Sequence, residues 1–408
     1  GLTYSQVKDT ILSTGDSVPA LAGKTVTGRR INAFNALQSI TAPTITGISD
    51  DTTPTKSKTW NWDSSDTTAQ FRYLIDQTEN SVPTGAYSNV KTATQSSGDG
   101  IYYIHVQAKS AAGVEGPVTT VSAILDNTAS TIEITFPLTE SKVNGDAVIT
   151  FTNSEPTPQC SINNVDWTSC ISGTTTLAGV VGFNELPEEA FTLYAKDTDV
   201  AGNIGSDSET GIIKDTTSPT GSITSPGDGS ILSTVPAFTA SASDENGIES
   251  VKFQYKTSAS SSYIDINTDT SAPYEAIWTG ITLTTNTTYN LQIVITDTAG
   301  NSATFSAVSF TYDITAPDQP IITNPASSIT VNSDNYSIQG TAETSSLVKV
   351  YSGSSVVGSQ QLSGVETAFN ISVSLTQDAI NSFEVSSTDS VGNESGKTTV
   401  SVITEDSI

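Results

Sequence analysis

Between Tyr289 and Ile295 the chain reads YNLQIVI, with Tyr289, Leu291, Ile293 and Ile295 on one side and polar or smaller residues between them. A period of two returns every second side chain to the same face and predicts a half-buried strand. The stretch DTAGN follows, and then a second alternating run that ends at Asp313 and a Thr-Ala-Pro segment. Asp297 can accept hydrogen bonds from backbone N–H groups ahead of it, and Gly300 can take a positive φ that a Cβ opposes. Together they predict a hairpin turn. The pattern returns as FTLYAKDTDVAGN at 191–203 and FEVSSTDSVGN at 383–393, with a degenerate copy, YYIHVQAKSAAGV, at 102–114.

The turn glycines of these copies are residues 113, 202, 300 and 392, spaced by 89, 98 and 92. A period near 90 exceeds that of ordinary solenoid repeats and fits whole β-sandwiches strung in series. TAPT (41–44), DNTAST (126–131), DTTSPT (215–220) and DITAPD (313–318) read as linkers. They divide the chain into a head, 1–40, and repeats at 41–127, 128–215, 216–314 and 315–408. The expected fold is all-β: four tandem β-sandwiches in an elongated array behind a short helical head.

That head follows a different period. Within TYSQVKDTILST (3–14), Tyr4, Val7 and Ile11 share a helical face, Thr3 with Gln6 forms a capping box, and Gly15 closes the helix. Asn32 can cap a second helix, AFNALQSI (33–40), that would bury Phe34 and Leu37. Forty residues with one apolar stripe per helix cannot hold a core alone, so the head calls for a partner surface.

Acids outnumber bases 43 to 16, giving a net charge of −27, which disfavours nucleic acid and anionic membrane as partners. No run of 18 apolar residues suggests a membrane span. Methionine is absent from all 408 residues, Gly1 opens the chain, and EDSI closes it like the first half of another linker. The expectation is an internal or C-terminal piece of a larger, exported and monomeric protein. Cys160 and Cys170 stand close together in PQCSINNVDWTSC, with a turn-forming Asn pair between them, which favours a local disulfide over two free thiols. A zinc site would need more soft ligands than the single histidine can supply.

Each repeat resembles a bacterial immunoglobulin-like module. Repeat 3 carries SPTGSITSPGDGSIL, FTASASDENGIESVKFQYK and the DTAGN hairpin, while repeat 2 is similar to a variety with a C-S-x-N…W-x-x-C hairpin disulfide. Repeat 4, through IQGTAETSSLVKVY, resembles modules of surface adhesins, and repeat 1, through TPTKSKTWNWDSSD, resembles the broad class. The head resembles the C-terminal end of the catalytic domain of subtilisin-like serine proteases, through LTYSQVKDTILST and GRRINAFNAL. That resemblance implies a protease domain upstream in the same chain. The family's Asp, His and Ser motifs do not occur here, so no catalytic residue carries over.

Among candidate chemical groups, Trp60 and Trp62, with Phe71 and Tyr73 on a neighbouring strand, could stack on a sugar but read better as core. His105 falls between the inward Ile104 and Val106 and should face solvent, so no triad is expected in 41–408. Asp197 occupies an inward position and needs a partner or a bulge. In such a sandwich the last hairpin and the loop after the second strand both approach the incoming linker. This juxtaposes Asp215 with Asp297 and Asp244, Asp313 with Asp389 and Glu343, and Asp126 with Asp199 and Glu155. Repeat 1 offers only Thr41 and Ser110 at these places. Converging acids suit Ca²⁺ bound at the junctions; alternatively each Asp caps its own turn. The expected function is a non-catalytic stalk or docking region of an exported subtilisin-like protease, at the cell surface or outside the cell. The alternative is a bacterial surface adhesin or glycan-binding array, with an extracellular protein or glycan as ligand.

Overall fold

Apolar alternation is realised most fully in the strand Thr287–Asp297, where Tyr289, Leu291, Ile293 and Ile295 all lie in the core. Burying each such side chain contributes about 1.5–3 kcal/mol against an exposed reference. In this computed structural model residues 3–407 are described, except 23, 26, 28 and 33–41; the second head helix expected at 33–40 lies outside the described residues. The chain falls into two units, Gly1–Lys214 and Asp215–Ile408. Each unit holds two separate hydrophobic clusters, and each cluster fills one sandwich.

In the second unit the first sandwich pairs a five-stranded sheet with a three-stranded one. The larger sheet runs, edge to edge, Ser230–Leu232, Ser302–Tyr312, Thr287–Asp297, Ile248–Thr257 and Ile264–Asp269; the smaller runs Thr220–Ser225, Phe238–Ser243 and Tyr274–Ala276. Phe238 and Phe253 meet edge to face across the gap, 4.7 Å between ring centres. The other three sandwiches vary this plan. In all four, a short early strand pairs in parallel with the last long strand or its counterpart: Thr55 with Leu125, Lys142 with Ile213, Ser230 with Phe310, Ile329 with Ile403.

The head is a helix, Tyr4–Ser13, followed by an antiparallel pairing of Asp16–Ser17 with Arg29–Arg30. The Thr3–Gln6 capping box is present in both directions. Gly15, expected to close the helix, does not; Thr14 does, through its N–H to the Thr10 carbonyl. Glycine is needed at 15 for another reason: a Cβ there would run into the backbone carbonyl of Arg30 on the paired segment. Tyr4 is 86% exposed, and the four core clusters include no described head residue.

Trp60 and Trp62 are core, as expected, but Phe71 and Tyr73 are not on a neighbouring strand. Lys58–Asn61 pairs with Thr92–Gln95, whereas Gln70–Asp76 belongs to the opposite sheet, so the aromatics meet across the sandwich. His105 corrects a second expectation. It does lie on the outer face of its strand, yet it is wholly buried. A polar layer covers that face: His105 Nε2 lies 3.2 Å from Asp76 Oδ1 and Nδ1 lies 2.9 Å from Thr120 Oγ1. Beside it Gln107 accepts from Arg72, whose guanidinium covers the Tyr87 ring, and Ser88 bridges to Phe71. Thr120 lies directly opposite His105 on the paired strand.

Cys160 and Cys170 form a disulfide, both residues buried in the core of the second sandwich. Replacing both with serine is expected to cost about 2–3 kcal/mol, the loop-closure value for so short a ring. Calorimetry of the double variant checks this, and only the transition of the second sandwich should move.

Candidate metal centre

Three hairpins in the chain share one hydrogen-bonded device. In the third sandwich, Asp297 Oδ1 accepts the N–H groups of Ala299 and Asn301, each at 2.9 Å, and Oδ2 accepts Asn301 Nδ2 at 2.9 Å. Gly300 turns the chain with φ +91°. The amide of Asn301 also donates to the carbonyl of Asp215, 3.0 Å away, at the start of the same unit. In the fourth sandwich, Asp389 and Asn393 repeat the arrangement and Asn393 Nδ2 donates to Asp313 O at 3.0 Å. In the second, Asp199 and Asn203 do so, with Asn203 Nδ2 to Asp126 O at 2.9 Å. The carboxylate holds the asparagine, and the asparagine holds the linker. The first sandwich lacks both residues: Ser110 caps Val114 there instead.

This device was missed in the sequence, although its signal is the asparagine that ends each D-x-x-G-N turn. Its presence changes what the hairpin acids can do, because both oxygens of each already have donors.

The nine acids proposed as ligands therefore divide. Asp215, Asp244 and Asp297 come together, each offering a carboxylate oxygen within 4.8 Å of the others, and all three lie in the second unit. Asp126, Glu155 and Asp199 form no such group among the described residues, nor do Asp313, Glu343 and Asp389. Asp126 and Asp313 cap Thr128 and Thr315 in their own linkers. Glu343 is exposed. Glu155 uses its backbone N–H on Asp197 Oδ2, 2.8 Å away. That bond also accounts for the inward Asp197: fully buried in a regularly alternating strand, it is the acceptor for the loop that carries Glu155.

Local folding builds the three-acid corner. Asp244 follows the strand Phe238–Ser243, and its Oδ1 caps the Asn246 N–H at 2.8 Å. Gly247, at φ +101°, turns the loop back. Thr298 of the hairpin pins it there, through Oγ1 to Asn246 O and N–H to Gly247 O. Asp215 and Asp297 are buried and Asp244 is half-buried. Asp215 Oδ1 accepts the Thr217 N–H, but Oδ2 is buried without a hydrogen-bond partner. Burial pushes the Asp215 carboxyl above its ordinary value, the Asp297 and Asp244 charges add to this, and Thr217 and Asn246 pull the other way. A carboxyl raised by folding opposes the folded state at neutral pH, and the opposition disappears well below the ordinary value of 3.8. Among the described residues, no Lys or Arg forms an ion pair with any of the three.

Residues 219–316 match the model of the bacterial Ig domain. The acidic corner thus spans this bacterial Ig module and the residues just ahead of it. Solved structures similar to longer stretches include fibronectin(III)-like modules of Clostridium thermocellum CbhA, at 19% identity over 46% of this chain and 95% of that one, with a TM-score of 0.33. A Ca²⁺-stabilised adhesin with which an Antarctic bacterium binds ice is 16% identical over 90% of this chain and 99% of that one, with a TM-score of 0.30. A bacterial ice-binding adhesin of 1.5 MDa is 13% identical over 69% of this chain and all of that one, with a TM-score of 0.27. No curated protein matches the chain. Residues 219–316 thus form one Ig-like module in a tandem of four β-sandwiches, and the described helix is too short to cross a membrane.

Proposed function

We propose that this chain is the non-catalytic stalk and docking region of an exported bacterial protein whose enzymatic part is a subtilisin-like serine endopeptidase. The observation that carries the stalk role is the repeated Asp–Asn device. Three of the four sandwiches spend a buried or half-buried asparagine amide on gripping the linker that enters them, at 2.9, 3.0 and 3.0 Å. A device repeated at that place serves to fix how modules follow one another, which is what a spacer requires. The docking surfaces and any extracellular protein or glycan ligand belong to the same reading. So does calcium, because an exported chain meets it at millimolar concentration and carboxylates are the oxygen donors it takes.

The protease parent rests on the head, on LTYSQVKDTILST and GRRINAFNAL. Its helix leaves Tyr4 exposed and contributes nothing described to the sandwich cores, as a segment that packs on another domain would. The coding sequence upstream tests this at once: a subtilase Asp, His and Ser set there supports it, and further sandwich repeats overturn it in favour of an adhesin. Hydrogen exchange gives a second test. Amides of Tyr4–Ser13 are expected to exchange fast in the 408-residue chain and to gain protection of at least about tenfold when the upstream domain is present, since the helix would then open only with the domain. Equal exchange in both sinks the protease parent. A glycan array probes the docking role directly.

A further inference from the structure

We infer that Asp215, Asp244 and Asp297 hold one Ca²⁺ ion, and that this is the chain's single calcium site of the three its repeated corners offer. The inference deepens the exported-array reading and rests on it for the ion available; the site itself stands on geometry.

Three observations meet at this corner. The three carboxylates offer oxygens within 4.8 Å of one another. Two oxygens that share a Ca²⁺ at about 2.3–2.6 Å can be no more than about 5 Å apart, so the spacing admits one ion among them. Next, Asp215 Oδ2 is buried and has no hydrogen-bond partner, although Asp215 as a whole is only 2% exposed. A buried carboxyl with one unpartnered oxygen, set beside two further carboxylates and with no ammonium or guanidinium paired to any of them, is the arrangement that a cation completes. Finally, the donors are all oxygen. The sole histidine lies in the first unit and both cysteines are in the disulfide, so soft metals lack ligands. Water fills the remaining positions of a six- to eight-coordinate ion.

The neighbouring corners show why one site is expected and not three. Where the third sandwich has Asp244, the second has Glu155, whose loop is already held by the Asp197 carboxylate. In the fourth, Glu343 is exposed and its carbonyl is taken by Ser346. The linker acids Asp126 and Asp313 are half-exposed, unlike Asp215.

Titration calorimetry of the 408-residue chain with CaCl2, after EDTA treatment and desalting, tests this. The expected result is one ion per chain with a dissociation constant of about 10⁻⁴–10⁻³ M, the range of extracellular modules. At tens of times that concentration one melting transition should rise by about 5–10 °C, and equal MgCl2 should raise it less. Asp244→Asn, a half-buried substitution expected to melt like the parent in EDTA, should weaken binding at least tenfold. Glu155→Gln and Glu343→Gln should leave affinity and stoichiometry unchanged. Three ions per chain would overturn the single site, as would an Asp244→Asn variant that binds like the parent. The absence of both binding heat and a melting shift would overturn the calcium site altogether, while leaving the stalk reading to its own tests.

Discussion

Asp297→Ala is expected to destabilise its sandwich by about 3–5 kcal/mol, the cost of stripping a buried acceptor from charge-assisted donors. Two backbone N–H groups and the Asn301 amide lose their acceptor at once, in a turn where Ala299 is itself buried. Asn301 then has no reason to hold the orientation that reaches Asp215 O. One term works the other way: removing a charge relieves the neighbouring Asp215 and Asp244 carboxylates. That relief is felt only without a cation, so the measurement belongs in EDTA and again in calcium, with the larger loss in calcium. Asp297→Asn is no rescue, because it sets an NH₂ against a ring of donors. The equivalent Asp389→Ala should cost less, since Asp389 is half-buried. Urea unfolding of Asp297→Ala and Asn301→Ala, singly and together, gives the coupling. A loss under about 1 kcal/mol would mean that the turn holds without its carboxylate.

Phe253→Ala carries an expected loss of similar size, about 3–5 kcal/mol, for a different reason. Its ring is fully buried and meets Phe238 edge to face, and Phe238 in turn stacks with Trp278. The cavity cannot collapse easily, because Phe253 pairs on its ladder with both Asn267 and Ile293. Since each sandwich has its own core, the loss should appear in one calorimetric transition while the others stay in place. A uniform shift of all transitions would show that the sandwiches melt as one body.

Strands and hairpins were legible in the sequence because two local rules govern them. Alternation set the faces of Thr287–Asp297, and the glycines at 113, 202, 300 and 392 all took the positive φ expected of them. What escaped was long-range or two-sided. His105 was placed on the outer face correctly, but alternation says only which face a residue takes, not what later folds over it. Tyr73 and Trp62 were put on adjoining strands, although a period of two says nothing about sheet membership. Of the acids, the sequence suggested which would converge. It could not show that the Asn of D-x-x-G-N already satisfies the hairpin carboxylates, nor that Asp215 alone among the linker acids becomes buried. Spacing locates charges along the chain; burial decides which of them need a partner.

For a chain exported as proposed above, the parallel pairing of an early strand with a late one would order its folding. Thr55 finds its partner only when Leu125 is present, Leu232 only with Tyr312, and Val331 only with Glu405. Contacts that distant form late and slowly. A chain crossing a membrane from its first residue onward therefore keeps each sandwich open until nearly all of it has emerged. It then closes on the far side, one sandwich per advance, so threading can proceed without pulling a finished domain apart. The same geometry makes closure directional, since a sandwich that has gained its last strand can no longer slip back through a narrow channel.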